Sequence, residues 1–150
     1  MEKVGEKLRD ILFFETYFED FFVQQKPKVK EKIIWTLELL QELPVIPTQY
    51  LKHIHGTDGL YEIRIQNGSD IFRVFCFFDG GQLVVLINAF QKKTQKTPKG
   101  ELELAEKLKM ALDSSRNKVY CATIWDVEGL EMEFNVTTKT ASSSLLNFGL

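Results

Sequence analysis

Residues 60–90 read LYEIRIQNGSDIFRVFCFFDGGQLVVLINAF and hold three apolar runs, 60–66, 70–78 and 82–90, divided by NGSD and DGGQ. The runs are rich in β-branched and aromatic residues, which favour strands. Asn-Gly and Asp-Gly-Gly are among the few combinations that accept the positive φ of tight hairpin turns. The stretch therefore reads as an antiparallel meander, and the rest of the chain must be fitted around it.

A hairpin turn also fixes register. With Asn67 facing Asp70, Arg64 falls opposite Arg73 and Glu62 opposite Phe75. With Asp79 facing Gln82, Asn88 falls opposite Arg73, Leu86 opposite Phe75 and Phe90 opposite Ile71. One face then carries Tyr61, Ile63, Ile65, Phe72, Val74, Cys76, Val85 and Ile87, apolar enough to pack under helices. The other has an apolar end (Phe75, Phe77, Val84, Leu86) and a polar end (Glu62, Arg64, Arg73, Asn88, with Phe90 beside them). Like charges directly opposite on neighbouring strands cost up to about 1 kcal/mol. Two facing arginines call for an acid between them, which Glu62 supplies in part, or for an anionic ligand. A surface Arg–Glu–Arg cluster with no ligand is the plainer alternative.

On the C-terminal side the third run leads into QKKTQKTPKG, residues 91–100, with four lysines and no acid. Between residues 52 and 99 seven Lys/Arg stand against four acids, although the whole chain has a net charge of −2. Any polyanion must therefore bind to a local patch. Guanidinium groups bind phosphate bidentately, and an amide and an aromatic ring beside them suit RNA. Thr97 and Pro98 read as N-cap and first residue of a helix, GELELAEKLKMALD, that buries Leu104, Ala105, Leu108, Ala111 and Leu112.

On the N-terminal side LRDILFF (8–14) reads as a strand and ETYFEDFFVQQ as a helix with Phe18, Phe21 and Phe22 at helical spacing. Pro27 starts a second helix whose stripe is Val29, Ile33, Leu37 and Leu40, and Pro44 and Pro47 end it. The two helices form a hairpin. The fold class is α+β: an N-terminal helical hairpin packed on a small antiparallel sheet, a C-terminal helix, and an extra tail. The tail, 114–150, reads as a hairpin around Val127-Glu128-Gly129 followed by a loose end, so 1–113 is taken as the domain and 114–150 as an extension.

The 150 residues include twelve Phe and two Trp, enough for a core without disulfide staples. Cys76 and Cys121 match no metal or redox spacing, and Cys76 sits in a strand pattern where a buried, inert thiol is usual. Two cysteines and no signal-peptide pattern make a reducing cytoplasm the expectation, and no membrane span is expected because no apolar run reaches the roughly 20 residues a bilayer requires. His53 and His55 lack ligand partners at metal spacing; solvated loop histidines, RNA contacts or proton transfer remain open for them. No P-loop, GxGxxG or Ser–His–Asp pattern is present.

The combination LYEIR, FRVF, DGG and FQKKTQKTP resembles the Gp49-like, HigB-type branch of the RelE/ParE toxin superfamily, over residues 8–113 with the preceding helices included. The resemblance implies a RelE-like toxin of a type II toxin–antitoxin module, active on ribosome-bound mRNA and restrained by a cognate antitoxin, usually a helix-turn-helix protein. It implies a metal-independent endoribonuclease using no cofactor, in which the ribose 2′-OH attacks the adjacent phosphate. The family's catalytic cations match Arg64, Arg73 and Lys92. Glu62 is the expected base and Lys92 or Lys93 the acid, with His55 the alternative. Lys52, His55, Asn88, Phe90, Lys96 and Lys99 are the expected RNA contacts. The alternatives are a non-catalytic ParE-like inhibitor, for instance of DNA gyrase, and an inert prophage remnant.

Overall fold

A computed structural model describes residues 6–114, together with the backbone of 120–128 and 131–139. Along the chain run strand β1 (Asp10–Phe13), helices α1 (Tyr17–Val23) and α2 (Pro27–Glu42), strands β2 (Leu51–His53), β3 (Tyr61–Asn67), β4 (Asp70–Asp79) and β5 (Leu83–Lys92), helix α3 (Lys99–Ser114), and strands β6 (Tyr120–Glu128) and β7 (Glu131–Lys139). The strands form one sheet in the order β2-β3-β4-β5-β1-β6-β7. The α+β class and the meander are as read from the sequence.

The sheet is mixed rather than purely antiparallel. β1 lies parallel to β5, pairing Asp10 with Leu83 through Phe13 with Leu86. The crossover between them carries α1, α2, β2 and the first two strands of the meander, so hairpin signals could not reveal the parallel pair. The hairpin expected in the extension is present as backbone: β6 pairs antiparallel with β7 and with β1, so it continues the sheet on the side away from β2. Its side chains, Cys121 included, and the loose end at 140–150 lie outside the described residues. The three residues of β2 are too few to show a strand period in the sequence.

Each sheet face has its own core. On one, Phe18, Phe22, Val29, Ile33, Leu37 and Leu40 of α1 and α2 bury Ile11, Phe13, Ile63, Ile65, Phe72, Val74, Cys76, Val84 and Leu86. Phe18 stacks between Phe13 and Phe22 at ring distances of 5.0 and 5.9 Å. Such pairs add about 0.5–1.5 kcal/mol beyond the area they bury. On the other, Ala105 and Leu112 of α3 cover Leu12, Leu60, Phe75, Phe77, Val85, Ile87 and Phe90. Leu102 joins them, while Ala111, expected inside, is exposed. Arg9 ties β1 to the end of α2, donating to the carbonyls of Leu40 (2.8 Å), Leu43 (2.6 Å) and Pro44 (2.9 Å). A cation there satisfies orphan carbonyls and complements the helix dipole.

The two hairpins of the meander differ. β3 and β4 pair as expected, Asn67 with Asp70, Arg64 with Arg73 and Glu62 with Phe75. Gly68, at φ +65°, takes the first turn position. Between β4 and β5 the register differs from expectation twice. Asp79 pairs with Leu83, not Gln82, because Gly80 (φ +74°), Gly81 (φ +83°) and Gln82 make a three-residue loop. A bulge then sets Phe75 against both Ile87 and Asn88, since Val74 pairs with Ala89 and Cys76 with Leu86. A one-residue slip reverses facing. Hence Val84 and Leu86 lie under α1 and α2, while Val85 and Ile87 lie under α3, the reverse of the expectation. The bulge supplies a second residue of slip and restores alternation, so Phe90 rather than Asn88 faces Arg73, and Lys92 rather than Phe90 faces Ile71.

Candidate functional site

The polar end of the α3-side face is built on β2 to β5. Lys52 pairs with Glu62, Glu62 with Phe75, and Arg64 with Arg73, which in turn pairs with Phe90. Glu62 stands between the two arginines: its Oε2 lies 3.3 Å from Arg64 Nε and its Oε1 3.7 Å from Arg73 Nε. One carboxylate thus divides itself between two guanidinium groups, and the compensating acid expected from register is real. It is also incomplete. Lys92, half-buried, interacts electrostatically with Arg73, Glu62, Arg64 and Lys52, so four cations surround a single acid.

Arg73 is the most enclosed of the cations, at 7% exposure. It donates to the Phe72 carbonyl at 3.1 Å, but its Nε has no hydrogen-bond acceptor among the described residues. A buried guanidinium N–H without an acceptor costs about 1–3 kcal/mol, a deficit that an anionic oxygen would remove. Burial holds the Arg73 pKa below its ordinary value, Glu62 opposes this, and Arg64 adds to it. Burial likewise lowers the Lys92 pKa, reinforced by Arg73, Arg64 and Lys52 and opposed by Glu62. Both shifts express crowded positive charge beside a low-dielectric wall. Burial alone raises the thiol pKa of Cys76, which packs among apolar side chains as expected.

Arg64 and Arg73 open on a cleft of about 340 Å3, lined also by Lys32, Gln49, Tyr50, Ile65 and Gln66. The cleft wraps the edge of β3 beyond β2, whose pairing gives way to a bond from the Arg64 N–H to the Tyr50 carbonyl (2.8 Å). Tyr50 and Lys32 carried no signal in the sequence: one lies in a linker, and the other is a helix lysine like several around it.

The remaining site residues divide. Lys52 is exposed beside Glu62, within reach of Lys92. Asn88 is 2% exposed and points to α3, donating to the Glu101 carbonyl (3.1 Å) and Glu101 Oε1 (3.0 Å). The bulge that seats it beside Ile87 removes it from the arginine row and makes it a tie between β5 and the first turn of α3. Its Oδ1 has no hydrogen-bond partner among the described residues. Phe90 is buried with its ring edge against Phe75, at 5.3 Å, so its ring belongs to the core. Lys93, just past β5, and Lys96 are exposed. Lys99 is exposed at the start of α3, 3.9 Å from Glu103. Pro98 caps that helix with its carbonyl, one residue later than read, accepting from Leu102 at 3.3 Å. His53 rests edge-on against Tyr61 at 5.2 Å, and His55 is exposed in the turn before β3. Neither histidine is joined to the arginine row by a described contact. No group of three or more His, Cys, Asp or Glu among the described residues has the geometry to hold a metal. No described helix is long and apolar enough to cross a membrane.

A family model described as phage derived protein Gp49-like matches residues 20–110. The match runs from α1 to α3 and contains every cation of the cluster. The chain belongs to the Gp49-like family. This is a toxin-like family related to the RelE/ParE superfamily. No match was found among the curated proteins. For a Gp49-like protein, β1, β6 and β7 fall outside the matched segment, while the arginine pair and Lys92 fall near its middle and end.

Proposed function

We propose that this Gp49-like protein is the toxin of a type II toxin–antitoxin module, cleaving mRNA on the ribosome, with a cognate antitoxin as its restraining partner. One observation carries the reading: Arg64 faces Arg73 across two strands with one shared carboxylate, leaving a half-buried excess of positive charge. Such a cluster matches a phosphate that gains negative charge during reaction, and a protein acting by surface binding alone has no use for it.

In the proposed reaction the 2′-oxygen of a ribose attacks the adjacent phosphorus. Its proton passes to Glu62, or to solvent through it. The bond from phosphorus to the 5′-oxygen breaks, and Lys92 supplies a proton to the departing oxygen. The products are a 2′,3′-cyclic phosphate and a 5′-hydroxyl. Arg64 and Arg73 bind the non-bridging oxygens, whose charge is greatest in the phosphorane, so their stabilisation favours the transition state. The lowered pKa of Lys92 supports its role, since a lysine that holds its proton less tightly is a better acid near neutral pH. Lys52 and the exposed Lys93, Lys96 and Lys99 supply steering charge around the site.

The test is inducible expression in bacteria with mapping of mRNA 5′ ends. Growth arrest with codon-phased cuts, lost in Arg73→Ala while the protein stays folded, is the expected result. Arrest with intact mRNA and broken DNA would replace the reading by a gyrase-directed one.

A further inference from the structure

The sheet cleft does not end at the arginines. Lys32 of α2 lines it together with Arg64 and Arg73, and also lines a second cleft of about 480 Å3 with Lys28, Glu31, Trp35 and Asn67. Residues 28, 31, 32 and 35 form one ridge of α2, at the spacing that stacks side chains along a helix. Trp35 is 45% exposed although it is the largest side chain of that helix. It is held on two sides: the Lys32 ammonium lies 4.7 Å from its ring centroid and Tyr50 meets it edge-on at 5.7 Å. The two clefts meet at Lys32, which lines both, and Gln66 of one is the chain neighbour of Asn67 in the other.

We infer that this path is a binding track for single-stranded RNA, running from the arginine pair over the edge of β3 to Trp35. The inference rests on the reading of the arginine pair as a phosphate site. Along the path the Arg64–Arg73 pair takes the scissile phosphate, Lys32 and Lys28 offer cations to the phosphates next to it, and Tyr50 and Trp35 offer ring surface for bases. This pairing of a cationic groove with aromatic platforms is how proteins hold single strands without reading sequence. Among the described residues Glu31 is the one acid lining the second cleft, and it lies beside Lys28 and Lys32 on the same ridge. An incoming phosphate draws Lys32 from the Trp35 ring, leaving that face for a base. A track of this kind holds the strand beyond the scissile phosphate and fixes its direction across the site.

The test is fluorescence anisotropy with a labelled 2′-O-methyl RNA of about ten nucleotides, which covers a track of this size and lacks the attacking hydroxyl. Trp35→Ala is expected to weaken binding about 5- to 100-fold, and Trp35→Phe to recover most of it, because a smaller ring still stacks. Lys28→Gln with Lys32→Gln is expected to flatten the logarithmic salt dependence by about 1.4, the share of two phosphates on a single strand. Unchanged affinity in a folded Trp35→Ala protein overturns the track. If that variant fails to fold, the pair of exposed Lys28 and half-buried Lys32 decides, and an unchanged salt slope overturns it. Unchanged RNA affinity with loss of antitoxin binding also overturns it, making this ridge a protein-docking surface. Trp35-dependent RNA binding without any mRNA cleavage keeps the track and removes the nuclease reading instead.

Discussion

The two hairpins of the meander share a central strand and differ in what they do to the site. β3–β4 is regular: a two-residue turn, unbroken register, and Arg64 brought directly opposite Arg73. β4–β5 has a longer glycine loop and a bulge, and by these it places Phe90 beside Arg73 and turns Asn88 toward α3. The regular hairpin assembles charge; the irregular one supplies the apolar wall behind it and anchors the helix that follows. Bulges beside functional sites commonly re-aim side chains in this way. The cation row is thus a property of register, whereas its enclosure depends on the departure from register.

Five variants test that division, from the largest effect to the smallest. Arg73→Ala, on the strand both hairpins share, should lower mRNA cleavage by about 10²–10³, the usual loss for one preorganised electrostatic contact. Cleavage by purified protein on programmed ribosomes measures it. Asn88→Leu should destabilise the irregular hairpin by about 1–3 kcal/mol, because the Glu101 carbonyl loses its donor and part of the tie to α3 goes. Urea unfolding reads this directly, and a shift smaller than a few tenths would show the tie to be incidental. Gly81→Ala should cost about 1–2 kcal/mol for its left-handed backbone, with no side-chain clash to add. The same change at Gly68 should cost a similar amount, so unequal losses would show that one turn carries more of the sheet.

The smallest effect concerns pH. The folded Lys92 pKa lies below its unfolded value of 10.5, so between the two the unfolded chain binds more protons. Stability from this group therefore rises with pH through that window and is lost as pH falls through the folded pKa. Lys92→Met should remove the rise, seen as a flatter curve of unfolding midpoint against pH. If Lys92 is the acid, the rate should fall with rising pH through the same folded pKa, and the variant should lose that limb.

Much of this was legible in the sequence, for physical reasons. Asn-Gly and the alternation around it determined β3–β4, and the facing arginines with Glu62 followed from counting residues. Gly80-Gly81 announced a turn but left open a loop of two or three residues, and the bulge at Ile87-Asn88 has no compositional mark. Both departures fall on β5, and they seat Asn88 against α3 and Phe90 in the core instead of at an open cleft. The parallel pairing of β1 with β5 escaped because it spans a crossover of two helices and three strands. Trp35, Lys32 and Tyr50 escaped because surface geometry, not spacing, brings them to the arginines.

The central claim is that Arg64 and Arg73 bind one phosphate together. A double-mutant cycle on ribosome-bound mRNA cleavage tests it most directly, using Arg64→Gln, Arg73→Gln and the pair. Groups acting on a single reacting phosphate are strongly non-additive, so the double variant is expected to lose little more activity than the worse single one. Losses that multiply independently, or full activity in either folded single variant, would contradict a shared phosphate site.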